Sequence, residues 1–203
     1  MSDMIDHKPH FQCLYSVASS QQGYFSTAQA RECGFRGNLL AYHLKTGKFL
    51  HMHRGVYRLR DYPSTPLEEV MAAWIAVGME RAIVSHETAL ELLELGDVIA
   101  DTVHLTVPRK IRNLPRIAGV TMHTTTRPIQ QGDIAIRDGI RLTSATRSIL
   151  DAAEIGTAPE QVEAAIQDAL KQGITTEHQL ISSAGSRSQR VQHLVGQSIK
   201  VAL

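Results

Sequence analysis

Seven cations, Arg31, Arg36, Lys45, Lys48, Arg54, Arg58 and Arg60, lie within one short stretch of the chain and face a single acid there, Glu32. An excess of this kind makes the positive surface that suits a phosphate backbone. Side chains able to read bases stand among them. An amide such as Asn38 can pair bidentately with adenine and a guanidinium such as Arg36 with guanine. We assign Asn38, Tyr42 and Arg36 to base edges, and Lys45, Lys48, Arg54 and Arg58 to phosphates. His53 joins them, because a partly protonated imidazole is useful beside a phosphate backbone.

Other chemistries are less well supported. Ser85-His86-Glu87 holds the residue types of a catalytic triad, but adjacent residues on a helix point apart, and Ser85 is read as a helix cap. A metal-dependent nuclease would need an Asp followed by an acidic-x-Lys unit on a neighbouring strand, and no such unit is found. Neither is a glycine-rich phosphate loop. His51 and His53 are expected on the same side of one strand with His43 nearby, yet two imidazoles without a third suitably spaced ligand do not define a metal site. The two cysteines, Cys13 and Cys33, lack zinc-site spacing and are expected to be buried thiols in a reducing compartment rather than a bridge. The expectation is therefore a protein with no catalytic residues, no metal and no cofactor.

The elements that must position the basic residues follow from local signals. A first helix from about His10 to Ser20 carries Phe11, Leu14, Tyr15, Val17 and Ala18 at helical spacing. Ser26 can cap the next helix, and Gln29 occupies the capping-box position. Gly34 ends that helix, and Phe35 can pack beneath the turn. From about Gly37 to Thr46, Leu39, Leu40 and Leu44 define a buried face and leave Asn38, Ala41, Tyr42 and Lys45 outward. Two β-prone runs, 48–53 and 56–59, flank Arg54-Gly55 as in a hairpin. Helix, turn, helix and hairpin in this order are the plan of a winged helix-turn-helix, whose second helix enters the major groove.

At this point G-Y-F-S-T-A-Q-A, C-G-F, L-L-A-Y-H-L-K-T-G-K-F and H-R-G-V-Y-R-L together resemble the N-terminal winged helix of AbiEi-type antitoxins from bacterial type IV toxin-antitoxin systems. The resemblance implies a transcriptional autorepressor that binds inverted repeats in its own operon promoter and counteracts a co-encoded nucleotidyltransferase-like toxin. V-S-H-E-T-A-L-E-L, V-H-L-T-V-P-R and G-I-R-L-T-S-A-T-R-S-I-L-D-A-A are similar, more loosely, to the domain that follows the winged helix in related proteins. That domain is the part associated with neutralising the toxin. A protein-binding antitoxin that no longer reads DNA, or a stand-alone regulator with no toxin, would share these features.

Charge separates the two halves. Residues 1–62 hold eight Lys and Arg against four Asp and Glu, while residues 63–203 hold thirteen against sixteen. The polar break Asp61-Tyr62-Pro63-Ser64 sets the expected boundary, with a DNA-binding domain over 1–62 and an antitoxin or regulatory domain over 64–203. In the second part, Thr65, Pro66 and Glu68 announce a helix bearing Leu67, Val70, Met71, Trp74 and Ile75. Another helix follows Ser85. Runs at 102–107 and 117–126 read as strands, and 134–142 as a hairpin around Asp138-Gly139. The basic loop Arg109, Lys110, Arg112 and Arg116 between two of them faces DNA, a partner or solvent. Helices close the chain, one capped by Thr157 with Glu160 in the box position, one opening at Thr176, and a last one carrying Val191, Leu194, Val195 and Ile199. This last helix packs on its own domain or on a partner.

The expected fold class is α+β, a winged helix followed by a mixed α/β domain with a small, mostly antiparallel sheet and C-terminal helices. The N-terminus lacks an apolar leader, and no apolar run approaches the roughly 18 residues needed to span a bilayer, so a cytoplasmic protein is expected. It would act as a monomer or homodimer on double-stranded DNA.

Overall fold

The computed structural model describes residues 9–201 apart from residue 112, so Arg112 of the basic loop lies outside the described residues. The chain divides into two compact units, residues 1–79 and 80–203. No helix among the described residues is long and apolar enough to cross a membrane.

The first unit comprises α1 (Phe11–Ser19), β1 (Tyr24–Ser26), α2 (Thr27–Glu32), α3 (Gly37–Lys45), β2 (Phe49–His53), β3 (Val56–Leu59) and α4 (Glu68–Val77). Ser26 Oγ accepts from Gln29 N at 3.2 Å and Gln29 Oε1 from Ser26 N at 2.8 Å, so the capping box forms as its spacing predicts. The wing has a third strand. β1 pairs antiparallel with β3, which pairs antiparallel with β2. Leu14, Ala18, Phe25, Ala30, Phe35, Leu40 and Phe49 are buried together between the helices and the sheet.

Cys13 on α1 and Cys33 at the end of α2 form a disulfide, with Cα atoms 5.6 Å apart. This corrects the expectation of separate thiols. The pairing arises because α1 packs on α2, with His10 N donating to Cys33 O at 3.0 Å, and spacing along the chain carries no trace of that contact.

The helix announced by Thr65 and Pro66 starts later than its signals suggest, at Glu68. The Glu68 carboxylate still accepts from Thr65 N at 3.2 Å, but it also takes the Arg58 guanidinium at 2.8 Å and the Tyr24 hydroxyl at 3.3 Å. Burial and the neighbouring Glu68 charge push the Tyr24 phenol up to about 12. These contacts fasten α4 to the wing sheet, so α4, although it follows the Pro63 break, belongs to the first compact unit.

The second unit holds β4 (Ile83–Val84), α5 (His86–Leu92), β5 (Val103–Pro108), β6 (Val120–Thr125), β7 (Ile134–Arg137), β8 (Ile140–Thr143), α6 (Ala145–Ile155), α7 (Pro159–Lys171), α8 (Glu177–Ala184) and α9 (Gln189–Val201). Its sheet runs β6-β5-β4-β8-β7. The β4–β5 and β7–β8 pairings are antiparallel, and the β5–β6 and β4–β8 pairings are parallel. Asp138 and Gly139 both adopt positive φ, 51° and 80°, as a tight type I′ hairpin turn demands. α9 packs on its own unit: Val191, Leu194, Val195 and Ile199 join Ile149, Leu150, Val162 and Ile166 in one core.

Two expected caps are diverted. Thr157 Oγ1 donates to Glu87 Oε1 at 2.7 Å, and α7 opens on Pro159 without a side-chain cap. Ser85 Oγ meets Thr106 Oγ1 at 2.7 Å and His86 Nδ1 at 2.8 Å and caps nothing. Ser85 and His86 can touch because Ser85 is extended and His86 has φ of 54°, so the two are not successive residues of a regular helix. Ser85 is wholly buried and so is no exposed nucleophile.

Gly96 carries a sharp stability prediction. Its φ is +71°, and a Cβ there would lie 2.6 Å from Gln161 O and 2.8 Å from Ala165 N, both rigid backbone atoms of α7. Gly96→Ala is expected to cost about 3 kcal/mol, combining left-handed strain with overpacking. Urea denaturation of wild type and variant measures the difference, and a loss under about 1 kcal/mol would show that the α5–α7 contact yields easily.

Candidate nucleic-acid interface

α3 presents the face its leucine spacing predicts. Leu40 is buried and Leu39 and Leu44 are half-buried, while Asn38, Ala41, Tyr42 and Lys45 are exposed, Tyr42 at 58%. Arg36 is exposed at the start of the helix. Asn38 Oδ1 accepts from Leu39 N at 2.9 Å. His43, which the leucine pattern does not reveal, is also buried, its ring 5.0 Å from Phe49 and 5.2 Å from Phe11 between centroids. Burial, helped by the charge of Lys48, holds its imidazole below the ordinary 6.5, so it packs as a neutral aromatic ring.

The wing is held close to the helix pair. Gly55 O accepts from Thr27 N at 2.9 Å and from Thr27 Oγ1 at 3.3 Å, which ties the wing turn to the first residue of α2. Arg60 Nε donates to Gly47 O, joining the base of the wing to the turn that follows α3. Gly47 has φ of +74°, a conformation glycine adopts without strain. Lys48 is exposed, with its ammonium 5.6 Å above the Phe11 ring, a cation–π contact that restrains a side chain otherwise free to wander. Arg54 is exposed at the tip of the wing.

One assignment to phosphate is corrected. Arg58 is only 5% exposed and donates to Tyr62 O at 2.8 Å, Pro63 O at 3.0 Å and Glu68 Oε1 at 2.8 Å. It shares the buried side of β3 with Val56, whereas Tyr57 and Leu59 line the helix-facing side. Strand alternation was the available signal: a residue two along from a core valine lies on the same side of the sheet. Arg58 is thus a structural cation that secures α4.

The histidines of the wing do not form a regular pair. A register shift between His51 and His53 breaks the alternation, leaving His51 exposed and His53 half-buried. Asn38, Tyr42 and Lys45 therefore lie on the outward face of α3, Arg36 is exposed just before it, Lys48 and Arg54 are exposed at the two ends of β2, and Arg58 is removed from the set. Arg31 and Arg60 are exposed in the same unit. A positive, exposed helix face beside a basic wing is the form in which a helix-turn-helix meets a duplex, the helix in the major groove and its neighbours on the backbone.

Residues 14–60 match the AbiEi antitoxin family of transcriptional regulators. The match covers the helix pair and the wing and ends one residue after β3. The chain also resembles the crystal structure of the RV2827C protein from Mycobacterium tuberculosis, with a TM-score of 0.61 and 12% identity over 91% of this chain and 75% of that one. At that identity the likeness concerns the fold. No curated protein sequence matches the chain.

Proposed function

We propose that this protein is of the AbiEi type, a sequence-specific DNA-binding repressor and the antitoxin of a bacterial toxin-antitoxin system. Its winged helix, residues 1–62, binds inverted repeats in the promoter of its own operon, with Asn38, Tyr42 and Arg36 at base edges. Lys45, Lys48, Arg54 and, from the wing strand, His53 lie along phosphates. Residues 64–203, whose opening helix α4 packs on the wing sheet, form the regulatory part, which counteracts a nucleotidyltransferase-like toxin in the cytoplasm. Two winged helices, from a dimer or from two monomers, occupy the two half-sites.

The observation that supports this reading best is the exposed face of α3, polar and basic where the opposite face is apolar, next to an Arg-tipped wing. A gel-shift titration with the DNA upstream of its own gene, against scrambled DNA at two salt concentrations, tests it. Selective binding is expected, with a log-log salt slope that steepens by about 0.9 per phosphate contact. Equal competition by scrambled DNA would remove autorepression and leave a protein-binding role for the chain.

A further inference from the structure

Three histidines far apart in sequence meet in the second unit. His86 stands at the junction of β4 and α5, His104 on β5 and His123 on β6, and one nitrogen from each lies within 4.8 Å of the others. The parallel register aligns His104 with Thr121 and Thr106 with His123, so both strand histidines project from one face of the sheet. His86 stacks on His123 with centroids 3.7 Å apart. Its φ of 54° is a strained conformation for a non-glycine residue.

The nitrogens of His104 and His123 are spaced as a ligand pair, and His86, whose ring lies within 20° of parallel to that of His123, joins them on a shared ion by turning its ring. His123 Nε2 and His104 Nδ1 are 3.1 Å apart. Two nitrogens that share an ion at about 2.0–2.1 Å in tetrahedral geometry stand roughly 3.3 Å apart. Without a metal, one of these two nitrogens must carry the proton that the other accepts; a bound ion takes the place of that proton. The second nitrogens of His86 and His104 already have outer partners. His86 Nδ1 meets Ser85 Oγ at 2.8 Å, which leaves Nε2 for the ion, and His104 Nε2 faces Glu87 Oε2 at 3.7 Å. Glu87 is itself anchored by the Thr157 hydroxyl at 2.7 Å. Carboxylates and hydroxyls placed behind imidazoles in this way orient metal-binding histidines and raise their basicity.

We propose that His86, His104 and His123 bind one divalent transition-metal ion, with Zn2+ the best fit to a three-imidazole set. The fourth position opens into a cavity of about 180 Å³ lined by His86, His123, Thr106, Arg147, Asp151 and Arg187. Asp151 is held by both arginines, so a water molecule completes the coordination. The ion links the edge strand β6, its neighbour β5 and the start of α5.

Metal-stripped, tag-free full-length protein titrated with Zn2+ is the test. One ion per chain is expected, with a raised melting temperature. Binding should fall at least tenfold in His104→Ala and His123→Gln and stay unchanged in His178→Ala, whose histidine is exposed on α8. Co2+ bound to the wild type provides a readout that needs no variant: a four-coordinate site gives intense visible bands, and an incidental hexahydrate-like ion gives weak ones. Weak bands, a stoichiometry well below one, or binding that survives in folded His104→Ala would each overturn the proposal.

Discussion

Lys45→Glu combined with Arg54→Glu is expected to weaken binding to promoter DNA by on the order of 100-fold or more, while the folded state is retained. Lys45 lies on the exposed face of α3 and Arg54 at the exposed wing tip, so neither substitution disturbs the buried core around Phe25, Phe35 and Phe49. Each reversal removes one phosphate contact and adds a repulsion. The log-log salt slope should therefore fall by roughly 2 as well. Circular dichroism checks that the double variant is folded, and a fluorescence or gel titration across salt concentrations measures both effects. Unchanged affinity in a folded double variant would exclude α3 and the wing as the DNA face. Growth rescue in the presence of the toxin should persist, because neutralisation is assigned to the second part of the chain. If rescue were lost with the fold intact, the division of labour proposed here would be wrong.

Asp151→Ala is expected to destabilise the second unit by about 3–5 kcal/mol. Its carboxylate receives Arg147 Nε at 2.8 Å and Arg187 Nη1 at 2.6 Å, and the three side chains are between 4% and 9% exposed. Removing the acid leaves two guanidinium groups close together away from water, with Asp133 at 3.5 Å as the remaining acid for Arg147. A buried charge without its partner loses its solvation and its Coulomb attraction together. The companion triple variant Arg147→Met, Asp151→Leu, Arg187→Met should recover most of the loss, because an apolar replacement of a whole buried network is often neutral. Urea denaturation of the wild type, the single and the triple variant separates the two cases. A single variant as stable as wild type would mean that water or Asp133 replaces Asp151 with little cost.

Much of the fold was legible because its signals act over a few residues. The Ser26–Gln29 capping box, the helix opened by Thr176, the leucine stripe of α3 and the Asp138-Gly139 turn each depend on neighbours within about four positions, and the structure contains all four. Signals of the same kind misled where a distant group competed for the same atom. Thr157 gave its hydroxyl to Glu87, Ser85 turned to Thr106 and His86, and Glu68 left its box geometry incomplete to meet Arg58. In each case a buried or half-buried partner offers a hydrogen bond largely shielded from water, which is worth more than a solvent-exposed cap.

The sequence by itself determined the winged helix, the polarity of the two faces of α3 and the concentration of positive charge over residues 1–62, because periodicity, caps and composition are properties of contiguous residues. Only the tertiary structure decided that Arg58 is a buried anchor, that Cys13 meets Cys33, and that His86, His104 and His123 converge. Each of these depends on which strands pair and in what register, and on which helices pack together. That choice is made by burial of apolar surface across the whole unit, a non-directional force that leaves no local mark on the residues it brings together.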